Sequence, residues 1–179
     1  IEAAGILYEK GCDLAGTGEM GIGNTTPTSV LAGLYLNKDA GEVTGKGAGL
    51  SCEGYERKCR AVERALTRIR AEHHTDPQEL LAEGGGLEIA MMAGVFLGAV
   101  KEEMPVVLDG AISCVAALAA YRIDCRVTDY LLPSHMSGEG TGAMALSALG
   151  LQAPVRAGMR LGEGTGALTL FPLLSMAME

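Results

Sequence analysis

The chain has 179 residues, a formal net charge of −8, 48% apolar and 20% charged residues. That length suits one domain with a real core, the composition is not that of a disordered chain, and the acidic balance argues against nucleic acid, whose phosphates need a basic surface. With 26 glycines, two phenylalanines and no tryptophan, the core must be built from small and aliphatic side chains, which fits tight strand–helix turns better than an aromatic-rich sandwich.

In chain order, residues 1–13 read as a helix ending near Gly11, followed by a short apolar step, Leu14–Thr17. The glycine-rich run Gly18–Asn24 is a loop; Thr25 or Thr26 can cap the next helix and Pro27 suits its first turn, giving Thr26–Leu36. Asn37–Gly49 reads as a polar loop. Ser51–Ala71 is the clearest helix, with Cys52, Tyr55, Cys59, Val62, Leu66 and Ile69 recurring at spacings of three and four. Helices over Asp76–Glu83 and Gly86–Val100 follow, separated by Gly84-Gly85-Gly86. The β-branched run Pro105–Leu108, closed by Asp109-Gly110, predicts a buried strand ending in a functional loop. Ala111–Tyr121 reads as helix, Arg126–Leu132 as another strand, Ser134–Gly142 as a loop and Ala143–Leu149 as a short helix. Val155–Leu161 leads into Gly162–Gly166 and a last apolar helix to Glu179.

Strand, glycine-rich loop, helix recurs three times. This predicts a single α/β domain over 1–179, Rossmann-like, with a mostly parallel sheet flanked by helices and ligands at the strand carboxyl ends. The hexapeptide Gly-Glu-Gly-Thr-Gly-Ala occurs at 138–143 and again at 162–167; two copies with unlike flanks read as one turn reused, not as a solenoid. The five cysteines form no C-x-x-C pair, which points to reduced thiols in a cytoplasm and against a disulfide framework or zinc site. The longest apolar run, Ile89–Val100, is too short to span a bilayer. The start, Ile1-Glu2-Ala3-Ala4, has no initiator Met and no signal pattern, and reads as a boundary within a longer parent.

Gly16–Gly21 matches G-x-G-x-x-G, but no second strand presents Asp39 as the ribose-binding acid a dinucleotide site needs. Gly41–Gly47 has the wrong spacing for a Walker loop. What remains is general: successive glycines let backbone N–H groups approach a phosphate at a helix amino terminus, or simply form a tight turn. Glu19 and Glu163 each lie between or beside glycines, either as solvated loop acids or as carboxylates held for general-base work. Asp109, after a buried strand, is the stronger candidate to face a site. His73 and His74 read as surface residues, and Arg57, Arg60 and Arg64 as a solvated basic face, with Lys58 at the edge of the apolar stripe.

Six segments in order resemble the nicotinate-nucleotide–dimethylbenzimidazole phosphoribosyltransferase family. They are Gly18–Thr26 (Gly-Glu-Met-Gly-Ile-Gly-Asn-Thr-Thr), Gly47–Lys58, Gly85–Met92, Pro105–Ser113, Asp129–Glu139 and Arg160–Ala167 (Arg-Leu-Gly-Glu-Gly-Thr-Gly-Ala). The resemblance covers essentially this whole chain and only the carboxy-terminal half of a typical member. It implies transfer of phosphoribose from nicotinate mononucleotide to 5,6-dimethylbenzimidazole, with no cofactor and no metal, in a homodimer. It assigns Glu163 as the general base for the imidazole proton and Glu19 to the wall beside the reacting sugar. Gly21, Gly23, Asn24 and Thr25, with Lys58 and Gly110, are implied to hold the 5′-phosphate, and Asp109 and Ser137 to contact nicotinate or ribose. Leu161 and Gly166 enter as substrate-binding members of the last motif, and Glu139 as the copy without the base role. Met136 stands where the family usually has Arg. The rival reading is a non-catalytic nucleotide-binding fragment or subunit that needs a partner polypeptide.

Overall fold

Three short strands lie side by side in parallel, in the order β1 (Ala15–Gly16), β2 (Val106–Leu108), β3 (Leu131–Pro133), with β2 central. The computed structural model describes residues 1–47 and 49–179. Around the sheet, α1 is Glu2–Glu9, α2 Thr25–Leu36, α3 Ala40–Val43, α4 Cys52–Ala71, α5 Pro77–Gly84, α6 Leu87–Lys101, α7 Ala111–Ile123, α8 Gly140–Ala148 and α9 Thr165–Met178. The fold is therefore the expected parallel α/β arrangement, but mainly helical, with a smaller sheet than the glycine-rich turns imply.

Side-chain alternation along β2 sets the layers. Val106 and Leu108 face a core shared with α2, α4, α6, α7 and α8, whereas Val107 points to the other side, against Ala167 and Leu170 of α9. A strand buried on both faces is the usual consequence of helices covering both sides of a parallel sheet. At the centre of the larger layer is α7, buried at every residue from Ser113 to Ala120. Its alanines let α2, α6 and α8 approach closely.

Four local expectations are corrected. Arg126–Leu132 is not one strand: Cys125–Tyr130 forms a 3₁₀ turn and only Leu131–Pro133 pairs. Asp124 accepts from the Arg126 N–H at 3.0 Å and pairs with its guanidinium at 2.7 Å, and Thr128 donates to the Cys125 carbonyl. Such local bonds compete with a sheet ladder. The loop expected over Asn37–Gly49 contains α3, made by the capping box of Asp39 and Glu42; Ala48, in the same stretch, lies outside the described residues. In α4 the buried stripe keeps Val62, Leu66 and Ile69 but enters through Gly54 and Lys58, leaving Cys52 exposed. The two hexapeptide copies do not share a turn: Glu139 is extended at φ −93° before α8, whereas Glu163 is left-handed at φ 58° before α9.

All five cysteines are free. Among the described residues, no helix is long and apolar enough to cross a membrane.

Candidate active site

The loops after β1, β2 and β3 converge at the strand carboxyl ends, joined there by the loop before α9. A hydroxyl relay ties them together. The Asp109 N–H donates to Ser113 Oγ at 3.2 Å, and Thr17 Oγ1 donates to the Val107 carbonyl at 3.1 Å. Ser113 and Thr17 hydroxyls lie 2.6 Å apart, and because the Thr17 proton is committed to Val107, Ser113 is the donor between them. The relay spans β1, β2 and the first turn of α7, so Gly18-Glu19 and Asp109-Gly110 leave the sheet from fixed points.

Two adjoining cavities open there, of about 180 and 430 Å³. They share Gly18 and Glu19 as a common wall, and together they fall in the range of small-ligand sites. Glu19, Gly21, Asn24, Thr25, Asp109, Gly110, Ser137 and Leu161 line the first, as does Glu139. Glu163 lines the second with Met20, Ala167, Leu168 and Phe171, a mainly apolar set. Glu19 thus borders both cavities and Glu163 only the second, and their loops are in contact at Gly18 and Gly164.

In the first cavity Glu19 Oε2 accepts from the Gly21 N–H at 2.8 Å and closely from Asn24 Nδ2. Asn24 is buried, and instead of capping α2 its amide holds the Glu19 carboxylate. Lys58 is not on the cavity wall. It lies behind it, donating to Thr25 Oγ1 at 2.9 Å and to the Gly45 carbonyl at 2.8 Å. Burial holds the Lys58 ammonium below the usual lysine range, with the Glu139 carboxylate pulling the other way. That carboxylate lies against Gly45, so a Cβ there would displace it. Gly23 also lies off the wall, in a turn at φ 80°.

Asp109 is only 3% exposed. Its Oδ1 accepts from the Gly166 N–H at 2.8 Å and its Oδ2 from the Gly164 N–H at 3.0 Å. Gly164 is the N-cap of α9, so a side chain from the end of β2 satisfies the open N–H groups of a helix far along the chain, where the helix dipole favours a carboxylate. Both oxygens of Asp109, the residue expected to contact nicotinate or ribose, are thus engaged by backbone N–H groups. Gly166 lies under the buried His135 ring, whose Nδ1 is 2.9 Å from Ser134 Oγ. A Cβ at Gly166 would strike that ring and come 2.7 Å from Asp109 Oδ1. Burial holds the His135 imidazole below the ordinary histidine range, with the Asp109 charge acting against it.

Sequence reasoning did not single out Ser113, His135 or Arg160, all on the first cavity. The signal for His135 was available: it stands two residues beyond β3, one residue past the strand-end position that marked Asp109 after β2. His73 is exposed and His74 pairs with Glu79 at 3.0 Å and Glu72 at 3.3 Å, away from the site.

Comparisons with known proteins agree along the whole chain. A family model described as phosphoribosyltransferase matches residues 1–179. A protein named nicotinate-nucleotide–dimethylbenzimidazole phosphoribosyltransferase from Ruminiclostridium cellulolyticum is 43% identical over 99% of this chain and 50% of its own length. One of the same name from Desulforudis audaxviator is 44% identical over the same shares. The crystal structure of CobT from Thermus thermophilus superposes with a TM-score of 0.93 at 39% identity, covering 98% of this chain and 52% of that one. The chain spans about half the length of the curated relatives it matches.

Proposed function

This chain belongs to the phosphoribosyltransferase family matched over residues 1–179, and from that premise we propose that it carries the catalytic residues for transfer of phosphoribose from nicotinate mononucleotide to 5,6-dimethylbenzimidazole. The observation that carries the reading is the pair of cavities meeting at Glu19, with Glu163 on the wall of the apolar one. The first, lined by Asn24, Thr25, Ser137 and Arg160 among others and bordered by the amino terminus of α2, suits a nucleotide phosphate. Thr25, oriented by Lys58, and Gly110 are the groups for that phosphate, with the backbone of Gly21 and Asn24; the exposed Gly23 turn shapes the loop. The apolar second cavity suits a benzimidazole.

In this reading one imidazole nitrogen attacks the anomeric carbon while the other loses its proton to Glu163. The bond from that carbon to nicotinate breaks, its electron pair staying on the pyridine nitrogen, and α-ribazole 5′-phosphate and nicotinate leave. Glu19, at the junction, offers negative charge where positive charge develops on the sugar. Ser137 and Asp109 border the nicotinate and ribose, Leu161 borders the same cavity, and Gly166, off both walls, acts through its N–H to Asp109. General-base assistance typically contributes about 10²–10⁴-fold.

The half-length match supports a second reading, a nucleotide-binding piece that needs the remaining half of the polypeptide to turn over. The five free cysteines support a cytoplasmic setting, and the family resemblance supports a homodimer and a single catalytic domain forming the carboxy-terminal part of a longer chain. The test is chromatographic detection of α-ribazole phosphate from nicotinate mononucleotide and dimethylbenzimidazole, run with this chain alone and within the longer polypeptide. Product from either supports the transferase; product from the longer form alone supports the second reading for this piece. No product from either, with nucleotide still bound, overturns the reaction.

A further inference from the structure

Two identical hexapeptides, Gly-Glu-Gly-Thr-Gly-Ala, take different backbones in one molecule. At 138–143 the Glu is extended and stands as the N-cap immediately before α8. At 162–167 three residues in succession, Gly162, Glu163 and Gly164, are left-handed at φ 79°, 58° and 81°, and the helix starts only at Thr165. The left-handed region is unfavourable for a residue with a Cβ, and the copy at 138–143 avoids it at its Glu. The difference lies outside the hexapeptide. In the second copy both carboxylate oxygens of the buried Asp109 accept N–H groups, from Gly164 and Gly166, immediately after Glu163. In the first copy the outside partners are different: the Gly138 N–H donates to the Met159 carbonyl at 3.0 Å, the Glu139 N–H to Ser137 Oγ at 3.1 Å, and Thr141 Oγ1 to the Val43 carbonyl at 2.8 Å.

Asp109 is itself held. Its N–H enters the relay through Ser113 and Thr17 to Val107, so the carboxylate is referenced to the sheet. Gly166 permits the approach because a Cβ there would collide with Asp109 and His135. The acid is therefore placed to hold the α9 loop in one register against the loop carrying Glu19.

We infer that Asp109 is a positioning residue for Glu163: its carboxylate selects the left-handed form of the 162–164 loop and thereby aims the Glu163 side chain into the second cavity. The inference rests on the proposed transferase reading for its kinetic consequence but not for its structural one. A carboxylate accepts from two N–H groups; an amide turns one oxygen into a donor that faces a donor. Asp109→Asn should therefore release the loop at almost constant size.

The test is a double-mutant cycle in the longer polypeptide, with hydrogen exchange at the Gly164 and Gly166 amides as a readout independent of activity. Asp109→Asn alone should lower kcat by about 10- to 100-fold, the scale of a misplacement of about 1 Å, and speed exchange at both amides. In a Glu163→Gln background the same change should cost less than about 2-fold in kcat, because the group being aimed is gone. Additive losses in the cycle would overturn the inference, since a general structural role does not depend on Glu163. Unchanged exchange would overturn it as well. If no turnover is found in any form, the transferase reading fails, and accelerated exchange at Gly164 and Gly166 still supports the clamp. Should Asp109→Asn not fold, Asp109→Ser, which leaves room for a water to bridge, replaces it; loss of folding in both would reduce the contact to structure alone and overturn the inference.

Discussion

Gly18 joins the two glycine motifs, and Gly18→Ala tests that junction directly. A Cβ built there would lie 2.6 Å from Gly164 Cα and 2.9 Å from the Glu163 carbonyl carbon, and nearer still to Gly164 N. Carbon contacts are ordinarily about 3.5–4.0 Å, so the α9 loop must retreat by about 1 Å. Every obstructing atom is backbone, and no side-chain rotation relieves it. A retreat of that size stretches the Asp109 bonds to Gly164 and Gly166, now 3.0 and 2.8 Å, past hydrogen-bond range. Overpacking of this kind costs about 1–3 kcal/mol, and loss of bonds to a charged group carries it to the upper end, about 2–3 kcal/mol. Because the displaced atoms belong to Glu163 itself, turnover should fall by about 100-fold. Urea unfolding with steady-state kinetics reads both. A variant within about 0.5 kcal/mol of wild type and with full turnover would show that the two loops part freely, and the contact at Gly18 would then carry no weight.

Lys58→Met keeps the bulk of the buried side chain but removes the donor to Thr25 and Gly45. It should weaken nicotinate mononucleotide binding by about 1.5–3 kcal/mol and leave nicotinate, which lacks the phosphate, almost unaffected; equal losses by calorimetry would remove Lys58 from the phosphate end. Glu163→Gln should lower kcat by about 10²–10⁴-fold at similar nucleotide affinity, while Glu139→Gln, on the first cavity, should act mainly on the nucleotide KM. The reverse pattern in steady-state kinetics would move the base to Glu139. His135 adds a pH dependence. Its folded pKa is depressed, so the unfolded chain binds the proton more readily; the stability is complete above the ordinary value of about 6.5 and is lost as pH falls below it. Urea midpoints from pH 8 to 5 should drop more steeply for wild type than for His135→Gln, and parallel curves would refute the assignment.

What the sequence revealed depended on the range of the cause. Helix α4 and the strand ending at Asp109 follow from periodicity and neighbouring residues, and both were legible. The repeated hexapeptide was not, because its second copy is held by Asp109, 55 and 57 residues away from the amides that donate to it. Lys58 was read at the edge of an apolar stripe and is in fact buried within it, since its acceptors, Thr25 and Gly45, come from other elements. The β-branched Val127 and Thr128 favoured a strand over Arg126–Leu132, and the Asp124 cap overrode them. Of the candidate residues, Glu19, Glu163 and Asp109, beside glycines or at a strand end, line the cavities, while His135, close after β3 but with neither glycine nor charge to mark it, went unnoticed.

The helices behind the two cavities differ in how much of themselves they commit. From Ser113 to Ala120, α7 is enclosed on every side, so nearly any enlargement there collides with a neighbour and is felt at Asp109 and Gly110. In α9 only Gly166, Ala167 and Leu170 are buried among fourteen residues, and Leu168, on the wall of the second cavity, is 63% exposed. Substitutions can accumulate along α9 at little cost in folding while reshaping the apolar cavity, whereas the wall behind the polar one tolerates almost none. On the function proposed above, the range of acceptor bases should drift faster than the identity of the donor.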